Sequence, residues 1–281
     1  VDAAWAAHYG FHPELPEHPL AEGADIVVTS AHKTLPAWSQ ASFVLVREGL
    51  VDLNRFNKAF DSTQTTSMSG RILASIDASR ALLQLHGHDL IDPIIDATEK
   101  GRATLVANGI DVIDGEYIDP LKLVILLPKT GADGNLVEKD LLDANIDVEM
   151  ANRDLIIPMI TFADTPELIE DLIQRIIDSV NKHRAEPRPI ATAAAFSIVP
   201  EVVVSPRDAF FSKQEVVEAK DAVGRVSAEM ICPYPPGVPV LSPGERITPE
   251  ALDALFEARD SGVRIAFAAD RTLETFVVLP E

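Results

Sequence analysis

Ile26 to Thr29 is a short, β-branched apolar run that stops abruptly at Ser30, His32 and Lys33, ahead of Pro36. A run of this length with polar residues at its end predicts a buried strand with its chemistry crowded at one edge. Trp38 to Val46 predicts a turn followed by the strand SFVLV, and Asp52 to Phe60 a short helix. The Ser- and Thr-rich stretch 62–69 then leads into a helical pattern from Ile72 to Leu85, which His86, Gly87 and His88 are expected to close. A second, long amphipathic helix is predicted from Ile91 to a glycine C-cap at Gly109. Beyond it the pattern predicts a strand at Leu121–Leu127, a helix at Asn135–Ala144, strand elements from Val148 and at Leu155–Met159, and a helix at Thr165–Lys182 with Pro166 in its first turn. That βαββα order is an α+β layer.

Residues 185–206 carry four prolines and an alanine tract and read as a linker. The last part starts at Arg207, with strands expected at Val223–Met230, Val238–Leu241, Gly262–Ala268 and Thr275–Leu279 and a helix at Pro249–Arg259. The prolines around Gly237 predict a stiff extended loop with one permissive turn.

With 281 residues, 47% hydrophobic and 24% charged, the chain has the composition of a soluble globular protein of one large or two ordinary domains. No apolar run is long enough for a membrane span, and the start lacks the pattern of a secretory leader, so a cytoplasmic protein is expected. The single cysteine, Cys232, excludes an internal disulfide framework. A formal charge of -20 argues against nucleic acid as a partner and mildly favours the approach of a small cation.

The polar residues after Ile26–Thr29 are candidates for chemistry because ligands of open α/β sheets sit at the carboxyl ends of parallel strands. A half-desolvated Lys33 can lose its proton and attack a carbonyl, as Schiff-base lysines of pyridoxal phosphate (PLP) do, with Ser30 and His32 placed to hold the phosphate. His8 and His12 are four residues apart, but Gly10 and Pro13 oppose a shared helical face, so an active-site flank or a surface loop is expected there. His86 and His88 are assigned to a helix end, and no metal site is predicted.

The chain opens with VDAAWAAHYGFHPELP and carries SAHKTLPA, SQASFVLV, TQTTSMSGRILASID and PYPPGVPVLSPGERIT in that order. These motifs resemble the ornithine/lysine/arginine decarboxylase family of fold-type I PLP enzymes, over nearly the whole chain. The resemblance implies an α/β fold: part of an aspartate aminotransferase-like large domain (1–88), a connecting helix and α+β small domain (89–184), the linker (185–206) and a C-terminal α+β decarboxylase domain (207–281). It implies that Lys33 holds PLP, with Asp2 against the pyridine nitrogen, Trp5 near the ring, Ser30 and His32 at the phosphate, and His32 a candidate proton donor. Thr66 and Ser67 would approach the phosphate of a neighbouring subunit, which implies a homodimer or higher homo-oligomer. Met68, Gly70 and Arg71 depart from the family pattern at that element.

The activity so implied is decarboxylation of lysine, ornithine or arginine to a polyamine or its precursor. The strand expected to carry Asp2, and a phosphate-binding turn, would precede residue 1, so a fragment, or a partner or regulatory subunit completed by a companion chain, is a second expectation. Another PLP reaction such as transamination is a third.

Overall fold

The computed structural model describes residues 1–189, 198–234 and 237–281. In chain order it has β1 (Ile26–Thr29), α1 (Ala31–Thr34), β2 (Phe43–Val46), α2 (Leu53–Thr63), α3 (Gly70–Ala107), β3 (Asp111–Val112), β4 (Ile125–Leu126), α4 (Gly134–Asp143), β5 (Met150–Asn152), β6 (Leu155–Ile157) and α5 (Pro166–Lys182). The remainder holds α6 (Pro206–Phe211), β7 (Glu215–Glu218), α7 (Ala219–Ala222), β8 (Cys232–Tyr234), α8 (Pro249–Asp260), β9 (Arg264–Ala266) and β10 (Thr275–Val278). Two compact units result: Val1–Leu126 with Asn145–Glu149 and Ile157–Ser179, and Leu127–Ala144 with Met150–Ile156 and Val180–Glu281.

In the first unit β1 pairs antiparallel with β2, Ile26 opposite Val46 and Thr29 opposite Phe43. The residues before β1 add a parallel neighbour, with Asp2 bridged to Val28. One face is covered, so Val27 and Thr29 are buried while Val28 is exposed. Asp52 caps α2 by accepting from the Asn54 and Arg55 N–H groups at 3.0 and 3.1 Å.

The two helices expected between residues 72 and 109 are one helix, α3, running unbroken through Gly87 and Pro93. Gly87 does not end it: a Cβ there would lie 3.0 Å from the Phe11 carbonyl oxygen, so the glycine admits the 8–12 segment against the helix. The boundary expected between residues 88 and 89 therefore falls inside α3. Its true end matches the expected glycine cap, with Gly109 at φ 71 and bonds from Gly109 N–H to Val106 and Ile110 N–H to Leu105. Ile91, Ile94 and Leu105 of α3 are buried, as are Ile169 and Ile173 of α5. At Gly101 a Cβ would meet Ile173 Cγ1 at 2.9 Å, so the two helices pack closely there.

In the second unit Asp133 caps α4 and Thr248 caps α8, each accepting one backbone N–H. Ile231, Leu241, Ile247, Leu255, Phe276 and Val278 form its main apolar cluster. β10 pairs antiparallel with β7, and β8 with β9. The expected strand at Val223–Met230 is replaced by a turn at Gly224, φ 83, and single bridges at Val226 and Ser227. Residues 190–197 of the expected linker lie outside the described residues. Its first part is held, since Arg188 donates to Asp154 and to the Gly131 and Ala132 carbonyls. Gly237 takes φ 90, the permissive turn anticipated there, while positions 235 and 236 lie outside the described residues.

Candidate active site

Lys33 lies in the four-residue α1 immediately after β1, with Ser30 as its N-cap. Two backbone bonds tie the opening segment to β1: Ala3 N–H to Val28 O at 2.8 Å and Val28 N–H to Val1 O at 3.0 Å. The buried Thr29 hydroxyl adds a third by donating to the Ala3 carbonyl at 2.8 Å. Asp2 is thereby held one residue from the carboxyl end of β1, its exposed carboxylate accepting from Ala4 N–H at 3.0 Å.

Trp5 follows on the same segment. The Lys33 Nζ is 5.8 Å from its ring centroid, within cation–π range, and 3.9 Å from Glu149 Oε1. His32 donates from Nδ1 to the Ala41 carbonyl at 2.9 Å, so in the neutral ring Nε2 is the acceptor. Ser30 makes no side-chain cap bond. The Thr34 hydroxyl beside Lys33 is buried without a hydrogen-bond partner. A primary amine against an aromatic ring, a carboxylate on the adjoining parallel segment, hydroxyl groups at Ser30 and Thr34, and an imidazole with Nε2 left over after its bond to Ala41 are a donor set that suits an aldehyde-bearing, phosphorylated pyridine. These residues fit PLP.

Thr66 and Ser67 lie in the exposed connection between α2 and α3, where Thr65 Oγ1 accepts from Ser67 N–H at 3.2 Å. Among the described contacts they have none with Lys33, Asp2 or Trp5.

A buried polar cluster reaches the other contact of the Trp5 ring through Lys122, and none of its members Lys122, Asp119, Tyr9 and Arg102 stands out in the sequence pattern. Lys122 is 8% exposed, its Nζ 6.0 Å from the Trp5 centroid and 3.9 Å from Asp119 Oδ2. Burial pushes the Lys122 ammonium below the ordinary lysine value, while Asp119 and Glu149 oppose that shift. Asp119 is buried, which raises its carboxyl pKa, but the hydrogen bond and charge of His8, with Lys122 and the Leu121 N–H, outweigh burial and hold it below the usual range. Tyr9 is pushed well above the usual phenol value by burial and by Asp119. Arg102 of α3 ties down the segments on either side by donating to the Lys122 and Ile113 carbonyls. The available signal was a lysine inside the apolar run LKLVILL, three residues after Asp119.

His8, expected on a flank or a surface loop, is 1% exposed and donates from Nε2 to Asp119 at 2.9 Å, with Nδ1 unpartnered. His12 is also buried, so neither is a surface-loop residue. His12, His88 and Asp92 converge with ligating atoms within 4.8 Å, a grouping that joins residues of two separate motifs. His12 Nδ1 accepts from Glu14 N–H, which puts the ring proton on Nε2, donated to Asp92 at 2.7 Å. The His88 ring lies 4.8 Å from that of His12, centroid to centroid.

Comparison with known proteins matches residues 1–115 to "Orn/Lys/Arg decarboxylase, major domain" and residues 190–260 to "Orn/Lys/Arg decarboxylase, C-terminal domain". The arginine decarboxylase of Halalkalibacterium halodurans is 34% identical over 100% of this chain and 60% of its own length. The constitutive lysine decarboxylase of Escherichia coli is 26% identical over 90% of this chain and 48% of its own length. The chain thus spans three fifths or less of the length of these relatives. Lysine decarboxylase A from Pseudomonas aeruginosa has the same mixed α/β fold, with a TM-score of 0.78 at 20% identity, over 99% of this chain and 53% of that one.

Proposed function

Since the chain belongs to the Orn/Lys/Arg decarboxylase family, we propose that it carries the Schiff-base lysine, Lys33, of a PLP-dependent decarboxylase acting on a basic amino acid. One observation carries the reading: the Lys33 amine stands half-buried against Trp5 at the end of β1, with Asp2 in the parallel register alongside. When bound, PLP supplies the electron sink that takes up the pair left on Cα as the carboxylate departs as carbon dioxide. Asp2 would hold a proton on the pyridine nitrogen, where a carboxylate favours the charged form. Trp5 covers one side of the Lys33 amine. Ser30 and the His32 imidazole would hold the phosphate. A basic substrate is supported by relatives named arginine and lysine decarboxylases, which do not select one amino acid.

Thr66 and Ser67 complete the phosphate site of a second copy, so the working unit is a homodimer or larger. Their exposure, with Met68 and Leu73 also exposed nearby, supports this. The proposed domain division is part of a large PLP-binding domain (1–88), a connecting helix and small domain (89–184), a linker (185–206) and a C-terminal domain (207–281), with α3 running across the first of these boundaries. A companion chain that supplies further large-domain residues is a second reading, supported by the chain spanning three fifths or less of these relatives. No helix among the described residues is long and apolar enough to cross a membrane, and a cytoplasmic enzyme is the fitting setting.

The test is carbon dioxide release from arginine, lysine and ornithine by the protein purified from its own source. Lys33→Ala is expected to abolish it for every substrate. Appreciable residual release would remove Lys33 from this role, and amino transfer to a keto acid without carbon dioxide would favour an aminotransferase.

A further inference from the structure

Two lysines share one aromatic ring and one carboxylate. Lys33 and Lys122 lie 5.8 and 6.0 Å from the Trp5 centroid. Glu149 is 3.9 Å from Lys33 Nζ and also acts on Lys122 through its charge. The two cations are not equivalent. Lys33 is half open to solvent, whereas Lys122 is buried and anchored, with Asp119 at 3.9 Å and the Met159 sulfur at 3.5 Å. Asp119 is itself fixed by His8 and by the Leu121 N–H. A buried ammonium costs several kcal/mol of desolvation, so packing alone does not account for a lysine at this position.

Lys33 is a nucleophile only as the neutral amine. A carboxylate facing its ammonium alone opposes loss of that proton, and a second cation drawing on the same carboxylate relieves the opposition. Among the described residues, the charged groups around Lys33 on neighbouring elements are Glu149, Lys122 across Trp5, and Asp2 on the segment that carries Trp5; His32 is its neighbour on α1. Without Lys122, Glu149 would have Lys33 as its remaining described cationic partner.

We propose that Lys122 is a positioning residue for Lys33: seated on Asp119, it holds the Trp5 ring and competes for Glu149, leaving the Lys33 amine free to attack a carbonyl. This rests on Lys33 being the Schiff-base lysine. In the step it serves, the Lys33 ammonium first gives a proton to solvent. Its nitrogen then bonds to the aldehyde carbon, and the aldehyde oxygen leaves as water.

The experiment reads Lys33 directly, without PLP. The protein is treated with dilute formaldehyde and cyanoborohydride across a pH series, and methylation of the Lys33 peptide is mapped by mass. Lys122→Met is expected to raise the pH of half-modification by about one unit, or to slow modification about tenfold at fixed pH. Adding Glu149→Gln should restore it, a rescue that mere loss of packing would not show. Glu149→Gln alone, which leaves no buried orphan charge, should lower the midpoint and keeps the test decisive if Lys122→Met folds poorly. A Lys122→Met midpoint equal to wild type, or a deficit unchanged in the double variant, overturns the inference. Capture of PLP by wild-type Lys33, followed spectroscopically alongside, separates the outcomes: its failure overturns the Schiff-base reading itself, whereas normal capture with no effect at Lys122 overturns only the positioning role.

Discussion

Behind Lys33 the first unit keeps His8, Arg102, Asp119 and Lys122 out of water, each met by a partner of opposite charge or a backbone carbonyl. The second unit fills its main cluster with Ile231, Leu255, Phe276 and Val278, and leaves its most strongly shifted carboxylate, Asp270, at the surface among the N–H and hydroxyl groups of Thr272 and Thr275. Apolar burial contributes roughly 1.5–3 kcal/mol per large side chain whatever the pH. Buried charge contributes little net stability, yet losing one partner is costly and depends on pH. The difference shows where this chain spends stability on placing reactive groups and where it simply packs.

Matched substitutions can break that contrast. Asp119→Ala leaves Lys122 and His8 without their carboxylate and should cost about 3–5 kcal/mol near neutral pH in a denaturant titration. Because the folded Asp119 carboxyl lies below its ordinary value, its contribution is present above that value and is lost as pH falls through the folded one. The cost of Asp119→Ala should therefore shrink in acid. Phe276→Ala should also cost about 3–5 kcal/mol, by cavity formation. Its cost should stay flat with pH, and a parallel pH dependence of the two would erase the distinction between the units.

At the site, Asp2→Ala should lower the decarboxylation rate by about a hundredfold or more, on the order of 3 kcal/mol, with Asp2→Glu losing far less. Equal modest losses would remove Asp2 from the pyridine nitrogen. The smallest effect is expected at Asp270, lowered from 3.8 to about 2, chiefly by the Thr272 hydroxyl and N–H. Its folded pKa is depressed, so its share of stability is full above 3.8 and lost as pH falls toward about 2. Asp270→Asn should flatten the stability profile in that window alone, as acid titration of unfolding would report.

β1, β2, α4, α5, α8 and β10 lie within a few residues of where the hydrophobic pattern puts them, because each is a run whose period or caps are local. The order β4, α4, β5, β6, α5 likewise follows the expected α+β layer. The break at Gly87 was misread because a glycine that ends a helix and one that admits another segment's backbone look alike until Phe11 is seen against it. β7 was missed, since EVVE is too short and too charged at its ends to stand out from turn. At the site, the resemblance and the abrupt strand end pointed to Lys33, Asp2 and Trp5, and the structure brings Lys33 to Trp5 and Asp2 to β1. Asp119, Lys122 and Glu149 were not legible. Lys122 reaches Trp5, Glu149 reaches Lys33 and Asp119 reaches His8 from positions more than eighty residues along the chain, and no local period reports a contact of that range.

Borohydride reduction of the protein from its own source tests most directly whether Lys33 is the point of cofactor attachment. Peptide mapping should place a pyridoxyl group on Lys33 in the wild-type protein, and none there in Lys33→Ala. A pyridoxyl group on another lysine, or no adduct on a protein that does release carbon dioxide from a basic amino acid, would contradict it.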